Sequence, residues 1–91
     1  MAKEQRIITY TGSVQGVGFR YTATHLARGF SVDGYVCNLP DGGVELVVEG
    51  EDAEITAFTQ RLAARFDGYI RDQRVSRHPY TGAYQGFVVK R

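Results

Sequence analysis

The stretch Arg6-Ile7-Ile8-Thr9-Tyr10-Thr11-Gly12-Ser13-Val14-Gln15-Gly16-Val17-Gly18-Phe19-Arg20 decides how the rest of the chain is arranged. Its first half is dense in β-branched and aromatic residues up to Gly12, which predicts a strand with Ile8 and Tyr10 on one face. Beyond the glycine-bearing loop, Ala23, Leu26, Ala27 and Phe30 recur at helical spacing, and Gly29 supplies an end signal. The order is strand, tight loop, helix.

Downstream, Gly34 precedes Tyr35-Val36-Cys37-Asn38, which reads as a second strand, and Leu39-Pro40-Asp41-Gly42-Gly43 carries the punctuation of a hairpin turn. Residues 44–49 alternate, placing Val44, Leu46 and Val48 inward, and stop at Gly50. A second helix follows, with Ile55, Phe58, Leu62 and Phe66 on one face. Glu51, Asp52 and Glu54 at its start and Arg61 and Arg65 near its end suit the helix dipole. The more polar residues 69–77 fit a strand near a sheet edge, broken by His78-Pro79-Tyr80-Thr81-Gly82, and residues 86–89 supply a short last strand. This order predicts an α+β ferredoxin-like plait, a split βαβ arrangement with two helices on one face of a mostly antiparallel sheet of four to five strands. In such a plait the first helix crosses over to a parallel neighbour of the first strand, so that strand ends distant in sequence meet.

Composition narrows the function. Ninety-one residues, 43% hydrophobic and 23% charged, predict a single domain over 1–91 with one modest core and a shallow surface cleft. A net charge of +1 lacks the basic footprint of a nucleic-acid binder. The tyrosines invite comparison with base-stacking sheets, but the strand at residues 44–49 has no aromatic residue and two glutamates. No apolar run approaches the roughly 20 residues of a membrane span. With a single cysteine, Cys37, and no apolar leader in residues 1–10, the expected compartment is a reducing cytoplasm. Monomer is the default assembly.

The loop between Gly12 and Arg20 sits where backbone N–H groups converge at a helix N-terminus, a geometry suited to an anion. It lacks the lysine and hydroxyl residue of a Walker loop, and Phe19, Arg20 and Tyr21 do not fit a dinucleotide fingerprint. Arg20 stands where loop meets helix, able to grip two phosphate oxygens with its planar fork. The plainer reading is a tight turn with a surface arginine. Asn38, just before the hairpin, either caps the turn or projects its amide into a cleft shared with Arg20. His25 and His78 lack partners at metal-ligand spacing, Ser13, Ser31 and Ser76 lie in no nucleophile elbow, and alternation turns Cys37 to the sheet face away from Asn38.

Two segments are specific enough to compare with a family. Gly12-Ser13-Val14-Gln15-Gly16-Val17-Gly18-Phe19-Arg20 resembles the first acylphosphatase signature, and residues 34–45, from Gly34 to Glu45, resemble the second, in the family's order and spacing. The resemblance runs over essentially the whole chain. It implies a hydrolase that splits the carboxyl-phosphate anhydride of a small acyl phosphate, without metal or organic cofactor. It also implies that Arg20 binds the phosphoryl group and Asn38 orients the attacking water. The amides of Gln15, Gly16, Val17, Gly18, Phe19 and Arg20 then cradle phosphate oxygens, for which inorganic phosphate or sulfate compete. Two other readings keep this fold: a catalytically silent module binding an anion or a protein, and a regulatory ligand-binding plait.

A site built on one arginine and one asparagine side chain predicts a pH profile of turnover that is nearly flat between about 5 and 8, and no effect of EDTA. A bell-shaped profile of kcat against pH would instead implicate a histidine, His25 or His78.

Overall fold

The computed structural model describes residues 2–91. The chain runs β1 (Lys3–Gly12), α1 (Phe19–Ala27), β2 (Val32–Asn38), β3 (Val44–Glu51), α2 (Asp52–Arg65), β4 (Ile70–Pro79) and β5 (Phe87–Val89). The strands form one sheet in the order β4-β1-β3-β2-β5. β1 is antiparallel to β3 and to β4, β2 is antiparallel to β3, and β2 is parallel to β5. Two helices on a five-stranded, mostly antiparallel sheet make the ferredoxin-like fold. One expectation needs correcting: the crossover through α1 does not land on a neighbour of β1. β3 occupies that place, pairing Ile8 with Leu46 on one side and Val36 with Leu46 on the other, and β2 lies one position further out.

The core lies between the sheet and the helices. Ile8, Tyr10, Val36, Val44, Leu46 and Val48 meet Ala23, Ala27, Ile55, Phe58 and Leu62, all of them buried. Each large apolar side chain so buried contributes roughly 1.5–3 kcal/mol. Phe19 closes the core under the start of α1, its ring 4.9 Å from that of Tyr10 and 4.8 Å from that of Phe66. β2 starts at Val32, earlier than the sequence pattern suggested, because Gly34 is a strand residue and no break. Its φ is 142°, and a Cβ built there would lie 1.9 Å from the Val47 carbonyl oxygen, so the glycine is what lets β2 and β3 approach.

β4 likewise runs past the expected break. His78 pairs with Gln5 and Pro79 with Glu4, and β4 is an edge strand, where a proline that donates nothing to the ladder is tolerated. The helix-free face is not simply solvated. Glu49, an outward position by alternation, is 1% exposed. The connector from β4 to β5 crosses over it. The Glu49 carboxylate accepts hydrogen bonds from the Thr81 amide (3.1 Å) and hydroxyl (2.6 Å), the Gly82 amide (3.0 Å) and the Gln5 side chain (2.8 Å). Arg6 is also buried, with its guanidinium against Glu4 and the Asp52 carbonyl.

Burial alone would raise the Glu49 pKa, but the hydrogen bonds from Thr81, Gln5 and Gly82 outweigh it and hold the carboxyl below its ordinary value of 4.5. A depressed folded-state pKa contributes stability above the unfolded value and loses it as pH falls through the folded one. Glu49→Gln is therefore expected to cost about 1–3 kcal/mol at pH 7 in urea unfolding. The gap between variant and wild type should narrow as pH falls below about 4.

Candidate active site

Four chain segments meet at one end of the sheet: the β1–α1 loop, the first turn of α1, the end of β2, and the residues at the end of β5. The loop is anchored from below. Val14 is 1% exposed and Val17 packs against the core, so the intervening backbone is drawn across the sheet end. Gly16 and Gly18 adopt φ of 76° and 80°, the left-handed conformation that turns the chain sharply into the helix.

α1 begins without a side-chain cap and without an acidic residue in its first turn. The Thr22 amide donates to the Gly18 carbonyl at 2.9 Å, and among the described residues no amide from Val14 to Tyr21 donates to a backbone carbonyl. A helix start whose N–H groups lack acceptors, at the positive end of the helix dipole, favours an anion.

The loop is tied to the hairpin by one side chain. Gln15 Nε2 donates to the Leu39 carbonyl at 2.9 Å and to the Gly43 carbonyl at 2.8 Å. The turn itself is closed by Leu39 N–H to Gly43 O at 2.8 Å and by Gly43 N–H to Asp41 Oδ1 at 2.9 Å. Asp41 thus caps the turn, one of the two roles open to Asn38 on sequence grounds. Asn38 is exposed at the end of β2, in register with Val44.

Arg20 and Asn38 line the same cleft, of about 290 Å³, together with Gln15, Gly16, Gly18 and Phe19. Val17 is the one cradle residue absent from its lining, since its side chain turns to the core. Phe19 contributes from a buried position, so its side chain is structural. Among the described residues the Arg20 guanidinium forms no ion pair, and no carboxylate side chain lines the cleft. A permanent cation, unpartnered amides and one carboxamide therefore face a common space suited to a phosphoryl group and a nucleophilic water. A larger hollow of about 570 Å³ lies against the hairpin turn and the start of β4. It contains neither Arg20 nor Asn38 and sets Asp41 beside Arg71, so the smaller cleft is better suited to an anion.

The remaining wall was not singled out from sequence: Tyr21 and Thr24 from α1, and Val89 and Arg91 from the end of β5. Alternation through β5, which sends residues 89 and 91 to one side, is the signal that would have found the last two. The other titratable candidates lie elsewhere. His25 stacks on Tyr21 with ring centroids 6.1 Å apart, and His78 Nε2 is 3.0 Å from Ser76 Oγ on β4. Cys37 Sγ lies 3.9 Å from Glu45 Oε1, and burial, followed by the charge of Glu45, raises the thiol pKa. Among the described residues no three His, Cys, Asp or Glu side chains group closely enough to hold a metal.

Comparison with known proteins adds a family. The acylphosphatase family model matches residues 6–89. An acylphosphatase of Listeria welshimeri serovar 6b is 47% identical over 62 residues, covering 68% of this chain and 67% of that protein. The crystal structure of acylphosphatase from Bacillus subtilis superposes with a TM-score of 0.83 at 29% identity, covering 98% of this chain and 99% of the other. An acylphosphatase structure from Coxiella burnetii gives the same TM-score, 0.83, and the same 29% identity, over 98% and 94% of the two chains.

Because Gln15 joins loop to hairpin, Gln15→Ala should lower kcat/KM by about tenfold while costing about 1–2 kcal/mol in stability. Steady-state kinetics beside urea unfolding check both numbers.

Proposed function

The chain belongs to the acylphosphatase family of hydrolases, whose substrates are small acyl phosphates, and from that premise we propose that Arg20 and Asn38 carry its chemistry. The observation behind this reading is that both side chains line one cleft with no Asp or Glu side chain in its lining, beside a row of amides without backbone acceptors. The amides of Gln15, Gly16, Val17, Gly18, Phe19 and Arg20, with the Arg20 guanidinium, hold the phosphoryl oxygens and offset their charge. The Asn38 carboxamide fixes a water in line with the bond to be broken.

Among the described residues no Asp, Glu or His side chain lines the cleft, which fits this reaction. The leaving group is a carboxylate, whose conjugate acid has a pKa near 4, so it departs without protonation. Water oxygen bonds to phosphorus as the bond from phosphorus to the acyl oxygen breaks, and the water's proton passes to a phosphoryl oxygen. The main barrier is electrostatic: a nucleophile must reach a centre ringed by negative oxygens, which a guanidinium and preorganised N–H donors mitigate. The reading extends to a single domain over residues 1–91 acting as a monomer in the cytoplasm, with inorganic phosphate or sulfate as competing anions. No helix among the described residues is long and apolar enough to cross a membrane.

Benzoyl phosphate hydrolysis in EDTA is the assay. Arg20→Ala is expected to lose at least 10²- to 10³-fold in kcat/KM, with Arg20→Lys recovering little because an ammonium lacks the fork. Asn38→Ala should lose a similar factor mainly in kcat. An unchanged kcat would remove Asn38 from the mechanism.

A further inference from the structure

The cleft holds a second cation that the hydrolysis above does not use. Arg91 lines it alongside Arg20, and among the described residues neither guanidinium is ion-paired. Its place follows from the strand register. β5 pairs with β2 through Tyr35–Val88 and Val36–Val89, and the pairing continues beyond β5 where the Lys90 amide donates to the Val36 carbonyl at 2.9 Å. The Lys90 side chain is held on the opposite side, with Nζ 4.6 Å from the centre of the Tyr35 ring. Alternation then directs Val89 and Arg91 to the cleft, and both line it.

The phosphoryl group already has the Arg20 fork, the loop amides and the start of α1. Arg91, Tyr21 and Thr24 also line the cleft, and the phosphoryl group uses none of them, which leaves them to the acyl chain. A planar fork of donors suits a carboxylate, and no Asp or Glu side chain lines the cleft with it. Resting on the acyl phosphate hydrolysis proposed above, we infer that Arg91 sets specificity on the acyl side, favouring acyl phosphates whose acyl group carries a carboxylate of its own. Arg91 contacts the substrate's distal anion and leaves phosphorus to Arg20 and Asn38.

The test compares 3- and 4-carboxybenzoyl phosphate with benzoyl phosphate, rigid compounds in which the carboxylate cannot reach its own anhydride. Arg91→Gln is expected to lower kcat/KM for the better carboxylated substrate about fivefold more than for benzoyl phosphate, the size of a partly exposed ion pair. Arg91→Glu should widen that difference, and Arg91→Lys should recover only the part that charge without the fork supplies. A purely structural role for Arg91 would lower both substrates by the same factor, and that result, or no change in either, overturns the inference. Benzoyl phosphate turnover by the wild type separates the two readings: without it the hydrolase mechanism itself fails.

Discussion

The primary amide of Gln15 makes two hydrogen bonds, to Leu39 and Gly43, and the geometry of the site hangs on them. The loop follows β1 and the hairpin joins β2 to β3; β3 pairs with β1, but β2, which carries Asn38, does not. Without a tie at this end, the Arg20 side and the Asn38 side would be related only through the sheet beneath them. A side chain with two amide protons and two fixed carbonyls sets their relation with little freedom left. Each of these carbonyls also accepts a backbone N–H within the turn, Leu39 O from Gly42 and Gly43 O from Leu39, so the tie adds a second donor to acceptors the turn already holds in place.

Below that tie, the division of labour is plain. Val14, Val17 and Phe19 fasten the loop to the core, while among the described residues the backbone N–H groups from Val14 to Tyr21 donate to no backbone carbonyl. Polar groups left without partners normally cost stability, and here the cost is kept at a surface cleft where water or an anion takes the place of protein acceptors. Arg20 is likewise left without a carboxylate, whereas Arg6, on the same face as Ile8 and Tyr10, is buried against Glu4. The two arginines differ in what the fold supplies them: a neutralising carboxylate for the structural one, an open cleft for the other.

The elements were legible where periodicity was strong. Ile8 and Tyr10, Val44, Leu46 and Val48, and Ile55, Phe58 and Leu62 all face the core as their spacing requires. Gly34 misled the reading of β2 because a glycine needed for close strand approach looks, in sequence, like a break. Pro79 misled the reading of β4 because edge position, which excuses it, is a tertiary property. Glu49 and Arg6 were illegible because their burial depends on partners far along the chain, Thr81 and Gly82 for one and the start of α2 for the other. At the site, Arg20 and Asn38 were found because their residue types stand at a loop–helix junction and a strand end. The Gln15 tie and the place of Arg91 arise only when hairpin and β5 are brought beside the loop.

We propose that the amides of residues 15–20, with Arg20 and Asn38, form one anion cradle. The most direct measurement is a titration of the isotopically labelled protein with inorganic phosphate, followed by amide and side-chain NMR shifts. The account predicts that amides from Gln15 to Tyr21, the Arg20 Nε–H and the Asn38 carboxamide move together along one binding curve, while α2 and β4 stay still. Saturable shifts centred instead on Ser13, Asp41 and Arg71, or none at phosphate concentrations that inhibit turnover, would contradict it.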